Sequence, residues 1–376
     1  MAGENPDILR LSKFGFENTA DVAVAATLIA RGFSITPKPV NPTVMLRNKG
    51  HRINTHQVGV RGAMTTAAVE GFADFNGVAL LLSSLRAAPT ITTPSGATIA
   101  RDWTQIFTAS QNEVGKSITV ESGLDGVDTS RFAFGLLNGL KMDFSGSQEI
   151  RISGDMTGTL LAEEGVTPTS AGLTELATIP MSPNLLDWYT ADTIAGLGAG
   201  QLMDAYAGSW ELTGRRSPLF PFRSSKPSIA GNAQTENRCF VHLNVEQNSQ
   251  SNLMMRQARR WSTRYLQFVI GGPEIEPGFN YAYRVIIPYK VNNPDRGPLD
   301  NVYGGMYDLE AVNDATLGGF CRIDVRCSLS ALPASTDLSA GQQPAALIAA
   351  LGAVGAGGGG NGSYVAAQQT SGFGGL

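Results

Sequence analysis

Charge is what this sequence has least of. Only 16% of its 376 residues are Asp, Glu, Lys or Arg, against about a quarter in an ordinary soluble domain. Hydrophobic residues make up 42%, enough to fill a core, so the surface has to be covered by Ser, Thr, Asn, Gln and Gly. A weakly charged exterior is expected where partner subunits cover much of it. The charge that is present is balanced. Residues 1–165 carry 14 basic and 16 acidic side chains, and the rest of the chain carries the same numbers. Neither half has the basic excess that neutralising phosphates requires, which argues against a nucleic-acid reader. DNA is expected as a partner only if it must not stick.

Histidine and cysteine are scarce too. His51, His56 and His242 fall in no HExxH, His-x-Glu or Cys-x-x-Cys spacing, so no metal is expected. His242 sits on the polar side of an alternating strand, where an exposed or hydrogen-bonded structural role is expected. The cysteines are Cys239, Cys321 and Cys327. Six residues along a strand span about 20 Å, far beyond disulfide reach. Cys321 and Cys327 therefore cannot bridge each other, and buried free thiols and a reducing assembly compartment are expected.

Motifs for catalysis are missing as well. There is no G-x-S-x-G and no P-loop, and the glycines at 196, 198 and 200 have the wrong spacing for a dinucleotide fingerprint. Glu163-Glu164, and Asp125 with Asp128, lie in polar turn-like sequence and read as solvated loop acids, not a catalytic pair. No catalytic residue, cofactor or metal ligand is expected. The N-terminus has no basic-then-apolar segment and the chain has no run of about 18 apolar residues, so neither a secretory signal nor a spanning helix is expected. The expected place of synthesis is a cytoplasm.

What is present is period two. Leu140, Met142 and Phe144 alternate with Lys141, Asp143 and Ser145; after a turn, Ile150 and Ile152 alternate with Glu149, Arg151 and Ser153, a β-hairpin pattern. Val241, Leu243 and Val245, then Phe279 to Ile287, then Cys321 to Leu329, make further stripes. Strands at this density, split by Gly and Pro, suggest a β-sandwich or barrel in each half. Two segments have helical period: Phe75–Leu85, with Asp74 as N-cap, and Asn252–Arg264. The second puts Arg256, Arg259 and Arg260 on one face beside Trp261, a composition suited to a subunit interface.

Each helix follows strand-like sequence (56–70 and 238–247) and precedes more (104–109 and 265–270), an order that hints at tandem duplication. The Thr/Ser/Pro-rich stretch 162–183 is the expected connector. The expected fold is mainly β: two tandem domains, 1–165 and 166–334, each with a short flanking helix, then a Gly/Ala-rich C-terminal arm, 335–376. Read alone, 344–376 is a flexible tail or an arm ordered by neighbouring subunits.

Several motifs resemble the tail tube proteins of long-tailed, siphovirus-type bacteriophages. They are Pro37-Lys38-Pro39-Val40 before a polar stretch, the helix Phe75–Leu85, and Trp103-Thr104-Gln105-Ile106-Phe107. The strand Ser117-Ile118-Thr119-Val120-Glu121-Ser122-Gly123 and the closing strand Ile150–Gly158 with its spaced glycines follow. In the second half, Arg264 to Phe268, Ile275-Glu276-Pro277-Gly278 and Val302-Tyr303-Gly304 resemble the matching region of larger members. The resemblance spans about residues 25–330.

The resemblance implies stacked rings of the chain itself, with trimers of two-domain subunits favoured over hexamers. They would form a tube around a tape-measure protein, closed by terminator and distal tail proteins, through which double-stranded DNA passes without binding. It implies a virion location, assembly in the bacterial host cytoplasm, no membrane insertion and no enzymatic activity. It places an inter-ring loop at 41–56, with Leu46, Arg47, Lys49, His51 and Arg52 as contacts, and Asp143, Glu149 and Asp155 toward the lumen. The alternatives are another β-rich tail or baseplate ring component, such as a terminator or distal tail protein, and a β-sandwich carbohydrate-active enzyme.

Overall fold

The computed structural model describes residues 10–40, 43–46, 56–59, 64–85, 89–108, 115–124, 128–146, 148–198, 201–202, 205–219, 229, 231–299 and 302–347. The first elements are β1 (Arg10–Phe16), β2 (Leu28–Ile29), β3 (Phe33–Val40), β4 (Thr43–Leu46), β5 (His56–Gly59), β6 (Met64–Phe72) and α1 (Phe75–Leu85). There follow β7 (Thr90–Thr92), β8 (Arg101–Phe107), β9 (Ile118–Leu124), β10 (Asp128–Ser145), β11 (Gln148–Gly158), β12 (Thr174–Glu175), β13 (Leu186–Ala191) and β14 (Gln201–Leu202). The last are β15 (Ala205–Leu219), β16 (Gly231–Glu246), α2 (Ser249–Arg260), β17 (Arg264–Glu276), β18 (Phe279–Leu299), β19 (Val302–Ala311) and β20 (Cys321–Cys327). The protein is mainly β, built around one large sheet.

Eight strands pair antiparallel in the order β3-β6-β11-β10-β15-β16-β19-β18. The two long strands then branch. The first half of β10 leaves this sheet to pair with β9, which continues to β1, β2 and β12. It turns through a bulge between Phe132 and Gly135, with Phe134 at φ 54°. The first half of β18 lies between β17 and β20; β17 leads to β13 and β14, and β20 to β8 and β7. No path of pairings among the described strands returns to its start, so the sheet curls without closing and ends on β3, β7, β12 and β14. Among the described residues β4 and β5 pair only with each other, as a separate two-stranded ribbon between β3 and β6 in the chain.

One pairing order occurs twice. β3, β6, β11, β10 and β9 are joined in the same succession as β15, β16, β19, β18 and β17. In each set a helix follows the second strand and packs on the fourth, α1 on β10 and α2 on β18. The spaced glycines of β11 serve close packing: a Cβ on Gly154 would lie 2.6 Å from the Gly139 carbonyl oxygen, and one on Gly158 would enter the Phe132 ring.

The alternating stripes fold as strands for the reason their period gives: Cys321, Ile323, Val325 and Cys327 are all buried while Arg322, Asp324 and Arg326 are not. The core holds an aromatic cluster of Phe144, Trp188, Trp210, Phe268 and Tyr283. It encloses α1, every residue of which is buried. The helix lies between the two sets, not on an outer flank, with the Phe75 ring 5.5 Å from that of Tyr281. Its start is as the sequence implies: the Asp74 carboxylate accepts from the Gly77 N–H at 2.7 Å.

α2 departs from expectation at both ends. It begins three residues earlier, because Asn248 and Ser251 cap each other reciprocally: Ser251 N–H donates to Asn248 Oδ1 (3.0 Å) and Asn248 N–H donates to Ser251 Oγ (2.9 Å). It stops at Arg260 because Trp261 adopts φ 51°, the left-handed conformation that ends a helix. Arg264 is therefore not on the helix face; it is buried at the start of β17, 3.1 Å from Asp192.

Candidate functional site

The largest continuous functional candidate is the outward face of the eight-stranded sheet. Alternation turns Leu140, Met142, Phe144, Ile150 and Ile152 inward, so Asp143, Glu149 and Asp155 share the other face. Lys141 pairs with Asp143 at 2.7 Å, the Asn138 amide donates to Asp155 at 3.0 Å, and Glu149 is exposed. The face runs on across β15, β16, β19 and β18, where Glu211, Glu246, Asp308 and Glu310 join it. With Glu70 on β6, these carboxylates outnumber, among the described residues, the cations of the same face, Lys38, Lys141, Arg151, Arg238 and Lys290. His242 also lies there, half-exposed, with Nδ1 2.6 Å from Asp308 Oδ1; that is the hydrogen-bonded surface role its strand position implies.

The α2 patch is the second candidate. Arg256, Arg259 and Arg260 are exposed, and Trp261 keeps 67% of its surface in solvent. Among the described residues none of the three guanidinium groups has an ion-pair partner. The third candidate is the loop at 41–56. Leu46 ends β4, opposite His56 on β5, while Arg47, Lys49, His51 and Arg52 lie outside the described residues.

Buried charges tie distant segments of the chain together. Glu121 and Arg131 are fully buried and paired at 2.5 Å, with Lys13 at 3.4 Å from the same carboxylate. Arg131 also donates to the carbonyls of Thr167 (2.7 Å) and Gln342 (3.2 Å), while Glu121 accepts from Thr169 N–H and hydroxyl. One ion cluster thus pins both the 162–183 connector and the segment around 342 onto β9 and β10. Glu17 accepts from Ser117, Thr119 and the N–H groups of Asp21 and Phe134. Burial nonetheless raises its pKa. Glu276 receives the Thr98 hydroxyl and the N–H groups of Thr98, Ile99 and Ala100, which lower its pKa to about 2. It clamps the turn before β8 to the end of β17.

Sequence reasoning did not single out these clusters as sites. Their partners are up to 211 residues apart in the chain, and no local spacing signals them. All three cysteines are buried and unbridged, as expected. Among the described residues no group of His, Cys, Asp or Glu is placed to hold a metal. A cleft of about 740 Å³ between 25–28, 167–176 and 329–342 is lined by apolar residues, Ser, Thr and Gln342, with no acid, base or thiol. Among the described residues no helix is long and apolar enough to cross a membrane. No protein-family model matches the chain, and no curated protein does.

Proposed function

We propose that the chain is a self-assembling structural subunit, a tail tube protein of the kind found in long-tailed, siphovirus-type bacteriophages. It consists of two tandem tail-tube-type domains and a C-terminal arm. The observation that carries this reading is the eight-stranded sheet, whose pairing order repeats and whose outward face is polar, continuous and mildly acidic. A chain with two equivalent four-strand contributions is suited to a trimeric ring of pseudo-sixfold symmetry. Three copies give about 24 strands; at ~4.8 Å per strand the circumference is about 115 Å, roughly 37 Å across before strand tilt widens it. Such a ring admits a tape-measure protein first and a double helix later.

In this reading the polar face lines the channel, with Asp143, Glu149 and Asp155 toward the lumen. An acidic wall repels phosphates and lets DNA slide. The β4–β5 ribbon and the loop it carries, with Leu46, Arg47, Lys49, His51 and Arg52, reach the next ring. An isolated two-stranded ribbon is marginal alone and gains stability by docking. Terminator and distal tail proteins close the ends, the location is the virion, assembly is in the bacterial cytoplasm, and no enzymatic activity or cofactor belongs to the role. Negative-stain microscopy of the purified protein tests it. Hollow rods with a ring repeat are expected, and persistent monomers under all conditions overturn it.

A further inference from the structure

α1 and α2 occupy the same place in the repeated pairing order, yet their surroundings differ. α1 is wholly buried between β10 on one side and, on the other, β18 of the second set with β20, the strand paired to it. Among the described residues α2 has no such cover: Arg256, Arg259 and Arg260 point to solvent and Trp261 stands exposed at its end.

β20 has a counterpart in the first set. It pairs with the first half of β18 on the side away from β17. Residues 159–162 pair with the first half of β10 on the side away from β9, through Thr159 N–H to the Ala133 carbonyl (2.9 Å) and the Arg131–Ala162 bridge. The same stretch continues into Glu163 and Glu164, both exposed and, among the described residues, without a partner.

We propose that the outer face of α2 docks on the exposed turn 163–165, which leaves the mostly buried stretch 159–162, of a second copy of this chain. Arg256, Arg259 and Arg260 meet Glu163 and Glu164, and the contact that encloses α1 within the chain recurs between chains. The proposal rests on the reading of the protein as a ring-forming subunit and names the surfaces that meet. The contact is head-to-tail, the type that closes into rings when its rotation permits. Arginine fork pairs beside an exposed Trp are the chemistry of an interface hot spot.

The free sheet edges explain why side chains have to carry this joint. Within the chain the two sets meet in a ladder, β10 to β15. Between copies the equivalent edges are β3 and the second half of β18. On β3, Gly32 C=O accepts from Phe72 N–H while Ile35 N–H turns away to Ser12 Oγ. Odd positions therefore face outward, where Pro37 and Pro39 have no N–H to give. On β18, Arg296 N–H turns to the Asp295 carboxylate, and Pro294 and Pro298 share its outward phase. Edges blunted by proline form a ladder with fewer hydrogen bonds, so side chains have to reinforce it.

Charge reversal in the full chain tests the proposal. The variants are Arg256→Glu/Arg259→Glu/Arg260→Glu, Glu163→Arg/Glu164→Arg, and the two sets combined, followed by sedimentation and negative-stain microscopy with circular dichroism as the folding control. Each set alone is expected to raise the concentration needed for assembly by roughly tenfold or more, the loss of a hot-spot contact, and the combination is expected to recover most of it. Should the triple reversal not fold, Arg259→Glu with Glu163→Arg carries the same comparison. Reversals that assemble like wild type, or that block assembly without rescue in combination, overturn the interface and leave the assembly reading standing. Wild-type protein that never assembles overturns both.

Discussion

At the scale of single residues, the cost of burying charge decides what each acid does. Glu121 and Arg131 are fully removed from water and satisfied by each other, by Thr169 and by backbone carbonyls. Removing Arg131 leaves Glu121 buried with only Lys13 and Thr169 to compensate it. Arg131→Ala is therefore expected to lose about 3–5 kcal/mol of stability, read by urea denaturation, and to loosen the segment around Gln342. Asp74 works the other way. Burial raises its pKa from 3.8 to about 6, so between those values the folded protein holds a proton that the unfolded chain has lost. Stability then falls as pH rises through that window and is lowest above it, by about 3 kcal/mol for a shift of roughly two units. Asp74→Asn keeps a capping oxygen and removes this slope, which melting curves between pH 4 and 8 will show. Burial acts on Glu17 in the same direction.

At the scale of elements, Trp261 joins stability to assembly. A left-handed residue with a large side chain costs about 1 kcal/mol relative to glycine, so Trp261→Gly is expected to stabilise the monomer by about that amount while weakening self-association. A purely structural tryptophan would lose on both counts, and a melt run beside a sedimentation assay separates the two. Local elements were legible in the sequence. The stripe Cys321–Cys327, the β10–β11 hairpin and the Asp74 cap follow from period two and from cap chemistry, both encoded within a few residues. The boundary of α2 was not, since helical period continues through Trp261 and only its backbone conformation stops it. Nor was the pairing of β8 with β20, or of β10 with β15, because strand partners far apart in sequence leave no local trace. α1 read as amphipathic because periodicity reports one face. What fills its other face comes from the second half of the chain.

At the scale of the whole molecule, the scarcity of charge becomes a distribution of it. Arg256, Arg259 and Arg260, without ion-pair partners among the described residues, stand together on α2, while the broad sheet face keeps a small carboxylate excess spread over both halves. If that face lines a channel, its sign is a functional setting and can be reversed. Asp143→Lys, Glu149→Lys and Asp155→Lys together exchange three negative charges for three positive ones per chain, on exposed or half-exposed positions of β10 and β11 where the cost to folding is small. Wild-type assemblies are expected to leave double-stranded DNA unretarded in a gel at low salt. The triple-lysine assemblies are expected to retain it, with an affinity that falls steeply as salt rises, because counterion release scales with the number of phosphates neutralised. Retention that appears equally when lysines replace exposed residues elsewhere would assign the effect to net charge alone. Assemblies of the triple variant that still ignore DNA would mean that this face does not border the path DNA takes.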